Sequence, residues 1–256
     1  MVPTTKTLIS QLTHFTSGIR TVDAWITHPN ITAVLFAGLP GQESGNSLVD
    51  ILYGDVAPSG KLPYTIAKNE SDYGPLLNSS VSFDYFPQDN FTEGLYIDYR
   101  AFDHEEIEPR YEFGFGLTYT TFEYGDLEIG RVSGYTEKYP DASIAIVQGG
   151  HPQLWDELLA VRCAVSNTGD VAAAEIAQLY LGIPNAPVRQ LRGFEKVMIK
   201  PGQNATAEFK LTRRDLSIWD VEAQKWALQE GTYNVWVGAS SRDLRLNGTF
   251  EVGGGY

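Results

Sequence analysis

Residues 159–166 read LAVRCAVS and place an apolar side chain at every second position. Successive side chains of a β-strand point to opposite faces, so this period of two predicts a strand with one face in a core. Cys163, the single cysteine, takes one of the apolar positions and is interpreted as a buried, inert thiol. One cysteine forms no internal disulfide and no cysteine-based metal site. The four histidines show neither metal-ligand nor triad spacing: His14, His28, His104 and His151.

The same alternation recurs from residue 158 to the C-terminus. Turn-forming residues rich in Asn, Gly, Pro and Asp separate the candidate strands. About 100 residues with short strands at this spacing are typical of an immunoglobulin-like or fibronectin-type β-sandwich, and we assign residues 158–256 to one. Beyond residues 159–166, the candidate strands are 175–182, 196–199, 205–211, 217–221, 225–228, 232–237 and 244–252.

Upstream of the sandwich, residues 31–38 read ITAVLFAG, a continuous apolar run. Apolar side chains on both faces predict a strand of a parallel sheet in an α/β layer. A helix is predicted over residues 44–53, capped by Glu43 or Ser44 and ended by Gly54. Residues 61–66 read as a further strand, and residues 67–157 as a connector with long loops.

A strand buried on both faces needs neighbouring strands and covering helices. Residues 1–30 could supply one amphipathic helix but hardly a sheet. Residues 1–66 are therefore predicted to be the closing units of a larger α/β-sandwich domain. The fold class is α/β plus all-β, a partial α/β layer followed by a β-sandwich. The isolated chain should expose apolar surface near its N-terminus and self-associate through the incomplete sheet.

Charge and hydropathy exclude several classes of partner. The net charge is -13, which argues against nucleic acid or an anionic membrane, since phosphate groups are bound by clustered Lys and Arg. No window approaches the roughly 18 consecutive apolar residues of a membrane span. A neutral sugar is compatible with such an acidic surface.

Asparagine usage points to the secretory route. Six of the ten asparagines begin N-x-[ST] sequons, where chance would give about one or two. The N-terminus, however, lacks the apolar segment of a signal peptide. A secreted type of sequence without a secretion signal is what a fragment of a longer protein would look like. The predicted glycosylation sites are Asn30, Asn69, Asn78, Asn90, Asn204 and Asn247.

Several long strings, in one order, resemble glycoside hydrolase family 3. GLPGQESGN at residues 38–46 is similar to the last strand–helix unit of that family's α/β-sandwich domain. EGLYIDYR at 93–100 and PRYEFGFGLTYTTF at 109–122 resemble the connecting segment that follows. EIAQLY at 175–180 and QLRGFEK at 190–196 resemble the fibronectin-III-like terminal domain. The relatives implied are β-glucosidases of the kind that filamentous fungi secrete.

This resemblance implies hydrolysis of β-glucosides with retention, which needs two carboxyl groups about 5–5.5 Å apart. In the family, the aspartate nucleophile lies in an S-D-W type motif of an N-terminal barrel, and no such string occurs here. The acid/base glutamate lies upstream of the stretch matching residues 38–46, and residues 1–30 contain no glutamate. We therefore expect no catalytic residue in this chain and no cofactor or metal. A β-glucoside or cello-oligosaccharide becomes its substrate only if the missing catalytic half is supplied.

Residues 1–18 depart from the family, whose members carry an apolar strand and a short loop there. A truncated gene, an incorrect start site or loss of the catalytic half would each produce this departure.

Two other clusters invite a functional interpretation. A group of carboxylates could form a new acid/base pair, but a solvated acidic loop with an Arg100 ion pair is favoured. Residues 38–45 could cradle a phosphate, yet they lack a P-loop ending, so a structural turn is favoured. The carboxylates concerned are Asp98, Asp103, Glu105, Glu106 and Glu108.

Trp219, Trp226 and Trp236 could stack on sugar faces, although burial in the sandwich is the favoured expectation.

Three hypotheses for function remain open. The chain is the C-terminal portion of a retaining β-glucosidase, a non-catalytic module that binds glycans or a protein, or an independent hydrolase using the carboxylates of residues 98–108.

Overall fold

A computed structural model gives the structure of the chain and describes residues 7–11, 21–37, 41–77, 90–132 and 137–253. These residues form eleven strands and two α-helices. In chain order the elements are β1 Thr7–Gln11, β2 Ile31–Phe36, α1 Ser44–Tyr53, α2 Tyr99–His104, β3 Phe122–Arg131, β4 Glu157–Asn167, β5 Ala173–Gly182, β6 Gln190–Ile199, β7 Asn204–Thr212, β8 Ser217–Asp220, β9 Lys225–Leu228, β10 Gly231–Gly238 and β11 Leu244–Val252. Short 3-10 turns occupy Glu70–Leu77 and Pro152–Trp155.

A two-layer β-sandwich forms the C-terminal part. One sheet has the strand order β11-β10-β5-β6, the other β3-β4-β7, and β8 and β9 form a separate hairpin. The alternating side chains of β4 and β5 meet between the sheets, so this core is the one that the period of two predicted. Nearly complete burial is found at Leu159, Val161, Cys163, Val165, Ala177, Leu179 and Leu181.

Each candidate strand from residue 158 onward is present. β6 begins at Gln190, earlier than the predicted residue 196. The prediction missed the first half of the strand because that half carries polar and charged side chains, which a strand at a sheet edge tolerates. Cys163 is 1% exposed, and burial raises the pKa of its thiol to about 11. The thiolate is the reactive form, so this thiol is inert at neutral pH.

One strand of the sandwich lies inside the predicted connector of residues 67–157. β3 pairs antiparallel with β4, from Phe122 opposite Asn167 to Arg131 opposite Leu159. Its sequence, FEYGDLEIGR, carries several acidic residues because one face of the strand is exposed. The sandwich thus draws on residues before position 158.

The N-terminal part contains a small parallel sheet. β1 pairs with β2, so residues 1–30 supply a strand there, and the expectation that they could hardly contribute to a sheet is wrong. The helix α1 spans Ser44–Tyr53, as predicted, and Gly54 ends it in the left-handed conformation (φ 84°). Glu43 is the N-cap residue but makes no side-chain capping hydrogen bond.

The predicted strand over residues 61–66 is not formed. Instead, Leu62 and Ile66 exchange backbone hydrogen bonds with Gly114, Phe115 and Tyr111 at two separate points. Pro63 lies between these points and has no amide hydrogen to donate, so a continuous ladder cannot form.

Apolar side chains of the N-terminal part remain open to solvent. β2 has no buried residue, which differs from the expected burial on both faces, and neither has α1. Tyr53 is 80% exposed and Val49 49%.

Among the described residues, no helix is both long and apolar enough to cross a membrane.

The purified chain is expected to bind a hydrophobic dye and to self-associate. Replacing Val49 and Tyr53 by serine should lower the dye fluorescence, since both side chains belong to this uncovered surface. Val188→Ser, at an exposed apolar position of the sandwich, is the matched control and should change it little. Fluorescence titration and analytical ultracentrifugation measure the two properties. A monodisperse, dye-negative wild-type chain would contradict the expectation.

Candidate functional site

The acidic segment of residues 98–108 lies where the connector meets the sandwich. Asp98 is the N-cap residue of α2, and its carboxylate accepts hydrogen bonds from the backbone N–H of Tyr99 at 2.6 Å and of Thr65 at 2.9 Å. The hydroxyl of Thr65 donates a third, at 2.8 Å. With three donors in place, this carboxylate anchors α2 to the segment before it.

Asp103 is an enclosed carboxylate of the segment, with its side chain 4% exposed. It accepts a hydrogen bond from Nε of Arg189 at 2.8 Å and forms an ion pair with Arg242 at 3.3 Å. Arg242 also contacts Glu108 at 2.7 Å and donates to the carbonyl of Ile107 at 2.8 Å. The two arginines come from the β5–β6 loop and the β10–β11 turn, so this cluster fastens α2 to the sandwich.

These contacts support a structural role for the segment over an acid/base pair. The favoured interpretation expected a solvated loop paired with Arg100, whereas the ion pairs are made by Arg189 and Arg242 and Asp103 is enclosed. Glu105 and Glu106 are exposed, as a solvated loop requires. The difference arises because the arginines lie far away along the chain and meet Asp103 only in the folded protein.

Aromatic rings and amides join the connector to the outer face of β5. Tyr99 packs edge-on against Tyr180, with ring centroids 6.0 Å apart, and its hydroxyl accepts from the backbone N–H of Leu191 at 2.8 Å. Tyr180 is fully buried, which raises the pKa of its phenol, and it donates to Oε1 of Gln178 at 2.6 Å. Gln178 in turn donates to the carbonyl of Gly114 at 3.0 Å.

Only glycine fits at position 114. Its φ is +81°, and a Cβ there would lie 2.1 Å from Oε1 of Gln178. Gly114 belongs to the FGFG part of the string at residues 109–122. The close approach of its backbone to the side-chain amide of Gln178 explains why glycine stands at this position of the string.

A second link joins the N-terminal part to the sandwich. Lys61 lies 3.5 Å from Glu175 at the start of β5, and the Tyr124 hydroxyl donates to the same carboxylate at 2.7 Å. Glu175 is buried. Burial first, and the Glu175 charge second, raise the pKa of the Tyr124 phenol, so it stays a neutral donor. No sequence motif indicated this buried network.

Chemically, these groups are suited to bracing rather than to catalysis. The carboxylates of Asp98, Asp103 and Glu175 each accept a hydrogen bond from, or form an ion pair with, a residue that is distant in the sequence. In the part of the chain that the structure describes, no three His, Cys, Asp or Glu side chains gather as a metal site would require.

The tryptophans differ from their predicted burial. Trp219 is 43% exposed, and Trp226 and Trp236 are half-buried. Trp219 and Trp226 face each other across the β8–β9 hairpin, with ring centroids 5.4 Å apart. The prediction of buried packing is wrong for Trp219 because this hairpin belongs to neither sheet of the sandwich.

The remaining predicted sites are partly described. Residues 38–40 of the glycine-rich turn lie outside the described residues, and so does Asn78. The other sequon asparagines are all exposed, namely Asn30, Asn69, Asn90, Asn204 and Asn247. Exposure is what attachment of a glycan requires.

Two domains of known families match the chain. Residues 12–119 match the glycosyl hydrolase family 3 C-terminal domain, and residues 175–241 match the fibronectin type III-like domain. These matches confirm the resemblance at both ends of the connector.

Curated relatives are similar over most of the chain. It is 61% identical over 240 residues to a probable beta-glucosidase M of Aspergillus flavus and 52% identical over 240 residues to the beta-glucosidase cel3A of Pyricularia oryzae. Each match covers 92% of this chain, but 31% and 30% of the relative. The chain thus spans about a third of the length of these proteins.

A solved structure agrees with the fold. The beta-D-glucoside glucohydrolase of Trichoderma reesei superimposes with a TM-score of 0.82 at 46% identity, covering 92% of this chain and 32% of that one. Together with the two domain matches, this likeness shows that the chain carries the glycosyl hydrolase family 3 C-terminal domain followed by a fibronectin type III-like domain.

Proposed function

We propose that the chain is the C-terminal portion of a retaining β-glucosidase, which hydrolyses terminal β-D-glucosyl residues of β-glucosides and cello-oligosaccharides. The observation that carries this proposal is the 61% identity to a probable beta-glucosidase over 92% of the chain. The order of the matched domains, first the family 3 C-terminal domain and then the fibronectin type III-like domain, supports it.

In this role the chain completes and braces a catalytic unit. Retention requires a nucleophile and an acid/base carboxyl group about 5–5.5 Å apart, and we place both outside residues 1–256. The engagement of Asp98 and Asp103 by neighbouring donors favours this placement over a catalytic pair within the chain. No cofactor or metal is needed for such a reaction.

The proposed domain layout is an α/β remnant in residues 1–66, a connector in 67–157 and the sandwich in 158–256. The pairing of β3 with β4 argues for extending the sandwich unit back to Phe122. We further propose that the protein is secreted, as the exposure of the five described sequon asparagines supports.

Hydrolysis of a chromogenic aryl β-glucoside tests the proposed function. The purified chain, with a folded circular-dichroism spectrum, is expected to give no turnover. A chimera that joins the chain to the preceding two thirds of the Aspergillus flavus relative should give turnover, because that part would supply both carboxyl groups. The preceding two thirds alone is the matched control and should be much less active, since its sheet and braces are incomplete.

Two results would contradict the proposal. Turnover by the pure chain would mean that both catalytic groups lie within residues 1–256. The carboxylates of residues 98–108 would then be the next residues to substitute. If the chimera folds but gives no turnover, the proposal that the chain is part of a β-glucosidase is wrong.

A second candidate function is a non-catalytic module that binds glycans. The exposure of Trp219 is the observation that favours it, since aromatic side chains are usually enclosed in a sandwich core. The two functions are compatible within one longer protein.

A further inference from the structure

Three arginines from separate segments lie near the start of β6. Arg192 belongs to β6, Arg100 to α2 and Arg214 to the turn between β7 and β8. The backbone N–H of Leu191 donates to the Tyr99 hydroxyl at 2.8 Å. The Arg100 guanidinium lies 5.9 Å from the centroid of the same tyrosine ring, which places Arg100 beside the start of β6. We call Arg100, Arg192 and Arg214 the arginine site.

The Arg192 side chain is held in place by neutral groups. Its Nε donates to the backbone carbonyl of Asp215 at 2.8 Å, and its Nη2 donates to Oε1 of Gln190 at 3.0 Å. Asp215 directly follows Arg214, whose guanidinium lies 3.4 Å above the Trp226 ring centroid. Arg192 and Arg214 are therefore both fixed by their surroundings, without a negative charge to fix them.

Among the described residues, no carboxylate forms an ion pair with any of the three arginines. The Asp215 carboxylate instead accepts from the backbone N–H and the hydroxyl of Thr212, at 2.9 and 2.7 Å. Burial lowers the pKa of Arg192, against the opposing charge of Asp215. The like charges of Arg214 and Arg100 lower it further, so both lie within electrostatic range. A partly desolvated charge among like charges is costly unless an anion neutralises it.

A buried amide nitrogen beside Arg192 also lacks an acceptor. Gln190 is 4% exposed, and its Nε2 has no hydrogen-bond partner among the described residues. Its Oε1 accepts from Arg192, so reversing the amide would set two donors against each other. Buried donors are nearly always satisfied in folded proteins. The charge of Arg192 and the donor of Gln190 thus call for the same kind of group, an acceptor that carries negative charge.

We propose that the arginine site binds a carboxylate group, with Arg192 as the direct contact and Arg100 and Arg214 attracting the same charge. The Nη1 atom of Arg192, to which no described residue bonds, is available for this contact. Guanidinium donors lie in one plane and match the two oxygens of a carboxylate. The net charge of -13 disfavours a polyanion, so the ligand is a small group.

This carboxylate belongs either to a free organic acid or to an acidic side chain in the preceding part of a longer protein. Only the second source rests on the proposed function. The site itself is separate from any catalytic centre, because it needs no reacting group.

Titration of the purified chain with citrate at constant ionic strength, followed by NMR of the arginine Nε–H and tryptophan indole signals, tests the site. The signals of Arg192 and Trp226 should shift. Arg192→Gln is expected to weaken binding about tenfold, and Arg100→Ala about threefold. Arg162→Ala is the matched control and should bind as the wild type does, because Arg162 is 52% exposed and already paired with a glutamate on β7.

A chimera with the preceding two thirds of the Aspergillus flavus relative separates the two sources of the carboxylate. If citrate shifts the same signals in the chimera, the ligand is a free acid. If citrate shifts them only in the isolated chain, and Arg192→Gln lowers the thermal midpoint of the chimera more than Arg162→Ala does, a side chain of the preceding part occupies the site.

Two outcomes would overturn the proposal. These are no shift of either signal with about 10 mM citrate, or equal weakening by Arg192→Gln and Arg162→Ala, which would indicate non-specific attraction to positive charge. If Arg192→Gln fails to fold, the comparison of Arg100→Ala with Arg162→Ala decides. Binding is scored without catalysis, so an active chimera with a non-binding chain would remove this proposal alone, and a binding chain with an inactive chimera the proposed function alone.

Discussion

Replacing Asp103 by alanine is expected to lower the free energy of unfolding by about 3 kcal/mol. The substitution leaves Arg189 and Arg242 without the enclosed carboxylate that neutralises both of them. Unpaired charges in a poorly hydrated place are costly, because the lost attraction is not replaced by full hydration. Urea denaturation followed by tryptophan fluorescence measures the change.

Two variants separate the enclosed ion pair from general effects of charge. Glu108→Ala also removes a partner of Arg242, but the Glu108 side chain is 71% exposed, so a loss below about 1 kcal/mol is expected. Asp103→Asn keeps the shape and loses the charge, and should fall between the two. Equal stability of Asp103→Ala and Glu108→Ala would show that the cluster does not fasten α2 to the sandwich.

Gly238→Ala is expected to destabilise the sandwich by about 3 kcal/mol, through overpacking of the β10–β11 turn. A Cβ at position 238 would lie 2.0 Å from the carbonyl oxygen of Asp243 and 2.8 Å from Cα of Leu244. Both are backbone atoms, so a side-chain rotation cannot relieve the clash. In a domain of this size the thermal midpoint should fall by roughly 10 °C, which calorimetry would detect.

Gly130→Ala is the matched control on β3. Its nearest neighbour would be the Ala160 carbonyl oxygen at 4.0 Å, which is ordinary contact. Alanine in a strand loses less backbone entropy on folding than glycine, so this variant should be neutral or slightly stabilising. If Gly238→Ala is as stable as Gly130→Ala, the turn has an alternative conformation and the overpacking argument is wrong.

Much of the fold could be predicted from local patterns. The alternation at residues 159–166 identified β4, and the apolar spacing with a terminal Gly54 identified α1. Such patterns are readable because the period of the side chains follows from the backbone geometry of a few successive residues. Residues 61–66 show the limit, since their apolar character predicted a strand that Pro63 prevents.

The candidate site was less accessible to sequence reasoning. The acidic residues were recognised, yet their partners were not, because Asp103 and Arg189 are 86 positions apart. Local charge patterns only suggested Arg100. Nor did the period of two reveal that β8 and β9 form a hairpin outside both sheets, which leaves Trp219 exposed.

By itself, the sequence determined the type of most strands, the helix α1, the sandwich class and the family, since these depend on periodicity and on contiguous strings. Only the tertiary structure decided that β3 joins the sandwich, that Asp103 is enclosed by two arginines, and that Trp219 remains exposed. The physical reason is that burial and ion pairing depend on which distant segments pack together, and local backbone geometry does not specify that.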